Sequence, residues 1–357
     1  MNETGSISQR KAKHLSICLD PSLRSVEGSG AGFEGLSFRH RALPEIALSE
    51  IDTSVDFLGR RIALPFFISC MTGGSSEGFK LNKDLARAAQ ELGVPVGTGS
   101  VRVLLEHPEL DEHFALKSYA PEAILLANIG AVQLRDTLPE RLDDIMGRIS
   151  ADALVVHINP GQELFQDDGD SDFRGLKSAI AAFIARAPYP VIVKETGFGL
   201  GPQDSRFLLE AGAAYVDLAG SGGTNWIAVE GYRGEGEDTA ASREFDGWGY
   251  RTAPLLAASP VESGRILASG GLRSGMDLAK ALALGAHAAG MALPLARAAS
   301  EGGAQGAVRF VRRLERVLRS VMLLTGSRTP AELQRPGVLT RSTAFDEEAR
   351  GMEWPLG

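Results

Sequence analysis

The chain has 357 residues, of which 44% are hydrophobic and 23% are charged, an ordinary globular composition that is long enough for a large core. The net charge of -8 argues against a general nucleic-acid surface, so an anionic ligand would need a local positive cluster. No apolar run approaches the roughly 18 residues of a membrane span. The only two cysteines, Cys18 and Cys70, favour a reduced cytoplasmic protein over a disulfide framework.

The first 50 residues show no strong periodicity, and termini of this kind are typically flexible. They contain a short basic cluster, Arg10-Lys11-x-x-His14, followed by a glycine-rich loop at 28–32. Residues 38–44 and 52–57 suggest a lead-in hairpin or strand pair. We therefore predict an N-terminal extension over residues 1–60 that carries a basic, ligand-binding segment.

A regular alternation of apolar runs and helical patterns begins near residue 62. About eight runs are each followed by a glycine-rich or polar turn and a helix, which is typical of a (β/α)₈ barrel. Asn82 and Pro202 are predicted to start two of the helices. A Gly-x-Gly-x-x-Gly match at Gly30, Gly32 and Gly35 lies in the aperiodic start and follows no predicted strand, so it does not favour a dinucleotide fold. We predict an α/β fold, a TIM (β/α)₈ barrel over residues 61–330, with a closing helix at 308–324 and a C-terminal tail over 331–357. The predicted strands are 64–70, 94–96, 123–127, 153–157, 190–193, 214–218, 265–268 and 287–290.

Polar residues follow six of these strands. In such barrels the C-terminal strand ends hold the active site. Any one of these residues is more often a turn residue, a helix cap or a structural group, but six in register at one mouth are hard to explain in that way. They are Thr72, Ser100, Asn128, His157, Lys194 and Thr224.

Two glycine-rich turns follow the last two predicted strands, at residues 270–275 and 290–293. Glycine lets main-chain N–H groups approach a phosphate closely, and a following helix adds positive potential at its N-terminus. The turns therefore predict a site for the phosphate of a cofactor. Lys194 ends an apolar strand, where it is costly unless it faces an anion or an electron-rich ring.

The stretch 155–163 places His157, Asn159, Gln162 and Glu163 at one strand end. Because such a polar cluster is costly to bury, it predicts a functional site. Glu163 can ligate a hard cation, but a single carboxylate makes a weak site unless a diphosphate supplies further oxygens, as is usual for Mg²⁺.

Taken together, these motifs resemble the FMN-dependent type 2 isopentenyl-diphosphate Δ-isomerase family, over nearly the whole chain from Arg10 to about Leu339. The segments that carry the likeness are Arg10-Lys11-x-x-His14, Met71-Thr72-Gly73-Gly74, Gly99-Ser100-x-Arg102, Ala127-Asn128-Ile129-Gly130, His157-x-Asn159-x-x-Gln162-Glu163, Val193-Lys194-Glu195, Gly222-Gly223-Thr224-Asn225-Trp226 and Gly270-Gly271-Leu272-Arg273-Ser274-Gly275.

The resemblance implies an isomerase of isoprenoid biosynthesis that interconverts isopentenyl and dimethylallyl diphosphate without net redox change. It implies reduced FMN and Mg²⁺ as cofactors, with NADPH as the flavin reductant. An alkene is a poor base, so a positioned acid in a dry pocket is required. The family is thought to take that proton from around flavin N5, near Gln162, and the residues leave open whether the flavin or a side chain delivers it. The resemblance also implies a homo-oligomer, a tetramer or octamer, in which the basic segment could serve a neighbouring subunit.

The matching positions carry implied roles. Gln162 and His157 would be catalytic, and Glu163 would bind Mg²⁺. The implied substrate-binding residues are Arg10, Lys11, His14, Ser100, Arg102, His157, Asn159 and Gln162. The implied FMN-binding residues are Met71, Thr72, Gly73, Ser100, Asn128, Lys194, Thr224, Gly270, Gly271, Arg273, Ala292 and Leu293.

Two features depart from the family, and others argue against competing classes of protein. Lys13 stands where members often carry an acidic residue, and Tyr250-Arg251 makes the segment near the mouth bulkier than usual. An FMN-dependent 2-hydroxy-acid oxidase would need a histidine base after a late strand, where residues 220–224 have none. Cys70 is out of position for an inosine-monophosphate type of dehydrogenase, and a non-enzymatic flavin protein would be expected to lose the polar residues at the substrate end.

Overall fold

The computed structural model describes residues 3–20, 22–23, 26–28, 30–167, 169–234 and 237–352. The chain begins with helix α1 (Glu3–Leu19), so the prediction of a flexible terminus is wrong. Ile17 and Cys18 on this helix pack with Val229 and Leu293 of the barrel. The helix was missed because its apolar residues are few, and contacts with the barrel stabilise it more than its own sequence pattern does.

Three short strands follow, and the predicted pairing of residues 38–44 with residues 52–57 is wrong. They are β1 (Leu36–Phe38), β2 (Val55–Phe57) and β3 (Arg60–Ile62). Strand β2 pairs with β3 as an antiparallel hairpin, whereas β1 pairs with a strand from the C-terminal end of the chain. The hairpin packs its buried Phe57 and Ile62 against barrel residues such as Phe67, Leu126 and Val155.

Eight parallel strands close into a barrel in chain order, so the predicted (β/α)₈ architecture is confirmed. The last strand pairs with the first, and the predicted apolar runs coincide with the strands to within a few residues. The strands are β4 (Phe66–Ile68), β5 (Val96–Ser100), β6 (Leu125–Gly130), β7 (Ala153–Ile158), β8 (Val191–Glu195), β9 (Tyr215–Asp217), β10 (Ile266–Ala268) and β11 (Ala288–Met291).

Helices surround the barrel and bury their apolar faces against it. The first of them is capped by Ser75, whose side chain accepts from the Gly78 N–H; the prediction that Asn82 caps it is wrong, because Asn82 lies buried inside the helix and donates to the Thr72 carbonyl at 2.8 Å. Pro202 does begin a helix, as predicted. The helices are α2 (Ser76–Leu92), α3 (Ala131–Asp136), α4 (Pro139–Ile149), α5 (Pro160–Leu164), α6 (Leu176–Arg186), α7 (Pro202–Glu210), α8 (Trp226–Gly231), α9 (Glu237–Arg243), α10 (Thr252–Ala258), α11 (Gly275–Ala283) and α12 (Leu293–Thr325), the last kinked at Gly302 and Gly303.

The C-terminal residues form helix α13 (Pro330–Leu333), strand β12 (Leu339–Arg341) and helix α14 (Thr343–Gly351). Strand β12 pairs with β1, and Glu348 on α14 pairs with Arg251. Residues 339–351 are therefore attached to the segment that precedes the barrel, through β1, and to the segment before α10. Across the described residues, no helix has both the length and the apolar character needed to cross a membrane.

Candidate active site

One cavity opens at the C-terminal ends of the barrel strands, where the barrel architecture leads us to expect a site. Its volume is about 260 Å³, and its lining combines side chains from the strand ends, from α1 and from the start of α12. Except for Gly73, every site residue predicted from the sequence lines this cavity. Gly73 instead packs under the ring of Phe114, where an added Cβ would lie 2.6 Å from a ring carbon.

Helix α1 brings three basic side chains to the mouth of its own barrel. Lys11 Nζ donates to the Ser100 carbonyl at 3.3 Å, and His14 Nε2 lies 2.9 Å from Glu230 Oε1. Burial, with Arg10 and Arg102 nearby, lowers the pKa of Lys11 to about 8. Burial also lowers the pKa of Arg10, and the charge of Arg102 adds to this effect. Because the cations crowd one another, an anion placed between them would be strongly favoured.

His157 ends strand β7 beside this basic group. Its Nδ1 lies 2.7 Å from the side-chain oxygen of Asn128, and because an amide oxygen only accepts hydrogen bonds, Nδ1 carries the proton. Desolvation, followed by the charges of Lys194 and Lys11, lowers the pKa of His157 to about 3. The imidazole is therefore neutral in the protein without ligand, and its Nε2 is an acceptor.

Gln162 and Glu163 lie on helix α5, directly after β7, and both are held by hydrogen bonds. Gln162 Nε2 donates to Glu230 Oε1 at 2.9 Å, and Asn159 Nδ2 donates to Gln162 Oε1 at 3.2 Å. The same Asn159 group donates to Glu163 Oε1 at 2.8 Å, while the Asp170 N–H donates to Glu163 Oε2 at 3.0 Å. The Gln162 amide is therefore fixed in one orientation.

Glu230, on helix α8, is the buried carboxylate that orients this group, with 2% of its surface exposed. Burial alone would raise the pKa of Glu230. Hydrogen bonds from His14 and Gln162 and the charge of Arg233 outweigh that effect and lower the pKa below its usual value. Glu230 is therefore ionised, and it connects the N-terminal helix to Gln162.

Lys194 lies inside the barrel at the end of β8, with 8% of its surface exposed. Its ammonium donates to the Glu195 carbonyl. In register with it on β9, Asp217 is 1% exposed and accepts a hydrogen bond from Ser269 Oγ at 2.8 Å. The lysine therefore presents a buried positive charge to the floor of the cavity.

The opposite side of the cavity is built from backbone. A Cβ added to Gly223 would lie 2.6 Å from the Gly271 nitrogen, and Gly271 itself has a φ of 78°. Helix α12 begins at Leu293, so its N-terminus points its positive potential toward the same region. These turns approach each other too closely for side chains, and they line the cavity with backbone.

Arg273, predicted to bind the cofactor, lines the cavity but is paired with Glu27. Glu27 accepts from Arg273 at 2.6 Å and from Arg297 at 2.9 Å. Sequence reasoning missed Glu27, Glu230, Arg233 and Arg297. Arg233 pairs with Glu230 three residues away, but Glu230 reaches Gln162 and His14, and Glu27 reaches Arg273 and Arg297, only through contacts distant in sequence. A charged residue in a polar insertion, such as Glu230, carries no local pattern that would single it out.

Comparison with known proteins defines the class. The FMN-dependent dehydrogenase family matches residues 23–107 and 159–340. The flavin-binding domain of baker's yeast flavocytochrome b2 shares the fold with a TM-score of 0.65 and 20% identity, covering 92% of this chain and 80% of that one. A variant of mandelate oxidase shares it with a TM-score of 0.60 and 20% identity, covering 92% and 97%. The chain is an FMN-dependent α/β-barrel protein.

Curated relatives show to which family of FMN-dependent proteins the chain belongs. The isopentenyl-diphosphate delta-isomerase of Methanothrix thermoacetophila is 41% identical over 97% of both chains. That of a Synechococcus strain is 42% identical and covers 94% of this chain and 97% of its own. The chain belongs to the isopentenyl-diphosphate delta-isomerase family, so it is an isomerase, and the family predicted from its motifs is confirmed.

The residues of the cavity fit FMN. The turns at Gly223 and Gly271 line the cavity with backbone beside the N-terminus of α12, a surface that suits a phosphate. The buried charge of Lys194 suits the electron-rich part of a flavin ring. The fit to Mg²⁺ is looser, since the described residues contain no group of three or more His, Cys, Asp or Glu arranged around a metal. Glu163 would need oxygens from a bound ligand to complete such a site.

Proposed function

We propose that this chain interconverts isopentenyl diphosphate and dimethylallyl diphosphate. The observation that carries the proposal is the convergence of Arg10, Lys11 and Arg102 at one side of a cavity whose floor carries Lys194 and Asn128. The first group suits a diphosphate and the second suits a flavin ring. The relatives named as isopentenyl-diphosphate delta-isomerases support this substrate.

The diphosphate lies, in this proposal, between α1 and the end of β5. Lys11 donates to the Ser100 carbonyl and sits over the Phe114 ring at 5.9 Å, so it enters the site already ordered. A diphosphate would relieve the repulsion that lowers the pKa values of Lys11 and Arg10. His157 Nε2 would accept from a water or gain a proton beside the anion, since a nearby negative charge raises the pKa of an imidazole.

The allylic carbons lie, in this proposal, between Gln162 and the cofactor. Gln162 has no useful pKa, so its role is to hold the reacting carbons and any proton donor in one geometry. Glu230 and Asn159 fix its amide for that purpose. Reduced FMN, when bound, supplies an acid–base group of the kind that protonation of an alkene requires. The apolar Trp226 and Leu15 side chains beside the cavity exclude water from the reacting carbons.

Magnesium completes the substrate site in this proposal, with Glu163 as its protein ligand. The Glu163 carboxylate is held by the Asn159 amide and the Asp170 N–H, which leaves lone pairs for a cation. The substrate diphosphate and water supply the other oxygens, an arrangement that Mg²⁺ often adopts.

We further infer that NADPH reduces the flavin, that the enzyme acts in the cytoplasm and that it assembles as a tetramer or octamer. Large apolar side chains at the surface support assembly, among them Leu164 at 63% and Trp248 at 60% exposure. Light scattering coupled to size-exclusion chromatography tests the assembly, and a monomer at micromolar concentration would contradict it. Comparing flavin reduction by NADPH and NADH under anaerobic conditions tests the reductant.

The experiment that tests the function is hydrogen exchange in heavy water. Reduced holoenzyme incubated with isopentenyl diphosphate and Mg²⁺ should incorporate deuterium at the allylic carbons of both isomers, while NADPH is needed only catalytically. Stoichiometric consumption of nicotinamide, or rapid bleaching of the flavin by lactate or glycolate without oxygen, would instead indicate an oxidoreductase. Protein kept oxidised is the matched control and should show no exchange.

A further inference from the structure

Thr196 places a hydroxyl at the cavity wall that no part of the proposed mechanism uses. The residue lines the cavity. Its Oγ1 is buried and has no hydrogen-bond partner among the residues that the structure describes. A buried hydroxyl without a partner is costly, and in native proteins such groups are rare. The position therefore indicates that a bound molecule supplies the partner.

The backbone around Thr196 directs its side chain into the cavity. Residues alternate between the two sides of a strand, so Thr196 follows Lys194 to the inside of the barrel while Glu195 points outward. The Glu195 carboxylate accepts hydrogen bonds from the N–H groups of Gly197, Phe198 and Gly199. These bonds hold the turn after β8 in one conformation, so the Thr196 side chain stays directed toward the cavity that it lines.

The turn after β8 also packs closely against the loop after β9, which forms another wall of the cavity. Gly197 has a φ of 145°, and a Cβ added to it would lie 2.6 Å from the Thr224 carbonyl oxygen. Thr196 therefore lies between Lys194, two residues before it at the end of β8, and the loop that carries Thr224. Lys194 is the residue proposed to face the flavin ring, whereas the loop that carries Thr224 also carries Gly223 of the proposed phosphate end, so the position next to Lys194 decides the placement. The hydroxyl consequently lies toward the ring end of the proposed cofactor site.

We propose that the Thr196 hydroxyl forms a hydrogen bond with the ring system of bound FMN and contributes to its affinity. A threonine hydroxyl can donate and accept, so it can serve the oxidised ring and the reduced ring alike. The inference rests on the proposed FMN site. It concerns the binding of the cofactor, so it can be measured without turnover.

Removal of the hydroxyl with conservation of shape is the test. T196V should weaken FMN binding by roughly 3- to 10-fold, the usual effect of one hydrogen bond, and should shift the visible absorption bands of the bound flavin. T196S retains the hydroxyl and should bind FMN like the unchanged protein. Binding is measured by the recovery of flavin fluorescence on dilution of holoenzyme, and circular dichroism checks the fold. T196A takes the place of T196V if the valine variant does not fold.

K194M distinguishes failure of this inference from failure of the proposed site. If K194M weakens FMN binding while T196V leaves affinity and spectrum unchanged, the site stands and the role of Thr196 is refuted. If neither variant changes FMN binding, the proposed cofactor site is wrong and the inference fails with it. If T196V raises only the KM for isopentenyl diphosphate, the hydroxyl faces the substrate, which also overturns the assignment to FMN.

Discussion

The two ends of the active-site cavity are built in different ways. At the glycine end, Gly223, Gly270 and Gly271 come from turns after β9 and β10, and the N-terminus of α12 lies beside them. At the charged end, Lys11 and Glu163 come from α1 and α5, which lie far apart in sequence. The glycine end offers backbone and excludes side chains, whereas the charged end offers side chains whose charges crowd one another.

Because of this difference, the two ends should respond to different kinds of substitution. The glycine end should respond to added volume, because a single methyl group would overlap the backbone of a neighbouring turn. The charged end should respond to changes in charge and pH, because burial and like charges lower the pKa values of Lys11, Arg10 and His157. Cofactor binding and substrate binding should therefore be separable by mutation.

Lys11→Met should cause the largest loss. Removing one partner of a buried charge pair typically costs about 2–5 kcal/mol, so kcat/KM for isopentenyl diphosphate should fall roughly 30- to 5000-fold while the FMN content stays the same. Steady-state kinetics and flavin absorbance measure the two quantities. Lys13→Met is the matched control, since Lys13 lies on the same helix but is exposed, and it should retain activity.

The pH dependence of kcat/KM gives a more specific test of the role of Lys11. The pKa of Lys11 is about 8 in the free enzyme, and kcat/KM reports groups of the free enzyme. As the pH rises through 8, Lys11 loses its charge and kcat/KM should fall. Lys11→Arg should keep its charge and move this decline to higher pH. An unchanged profile would show that Lys11 does not hold the substrate.

Glu163→Gln should produce the next largest effect. The substitution preserves size and one acceptor oxygen but removes the charge that a divalent cation needs. The Mg²⁺ concentration for half-maximal activity should rise roughly 10- to 100-fold, with FMN still bound. Titration of activity with Mg²⁺ measures it. Glu262→Gln, an exposed glutamate distant from the mouth, is the control, and equal Mg²⁺ curves for Glu163→Gln and the unchanged enzyme would refute the ligand role.

Gly223→Ala tests the other end of the cavity. The new methyl group would lie 2.6 Å from the Gly271 nitrogen, so one of the two turns must shift. Overpacking of this kind costs about 1–3 kcal/mol, which corresponds to FMN binding weakened roughly 5- to 150-fold. Gly147→Ala, whose added Cβ meets open space, is the control. If Gly223→Ala kept its FMN affinity and instead raised the KM for substrate, the glycine end would bind the substrate and not FMN.

The barrel could be predicted from the sequence because its signals are local. Short apolar runs such as 153–157 and 190–193 end in glycine or polar turns, and each became a strand. Helix α1 could not be predicted in this way. Its cavity side carries Arg10, Lys11 and His14, so little apolar periodicity remains, and its apolar side is covered by residues such as Val229 and Leu293.

The site residues were predicted more completely than their connections. Gln162 and Glu163 stand in a recognisable motif, but the residue that orients Gln162 is Glu230, which is 68 positions away in the chain. Thr196 likewise carries no motif, and its meaning depends on an unpaired oxygen that only a folded cavity reveals. Local sequence patterns do not show which residues tertiary packing brings together as partners.

His157 provides the smallest and most specific test of the charged end. Its pKa falls from the usual 6.5 to about 3 in the folded protein, so below pH 6.5 the unfolded chain takes up a proton that the folded protein refuses. Stability should therefore decrease as the pH falls, by about 1.6 kcal/mol between pH 6.5 and pH 5 from this one group. His157→Gln should lose that component, and the exposed His40→Gln should keep it. Urea unfolding at several pH values measures the difference, and parallel curves for His157→Gln and the unchanged protein would refute a neutral, desolvated imidazole. Adding inorganic diphosphate should flatten the dependence of the unchanged protein, because an anion beside His157 favours its protonated form.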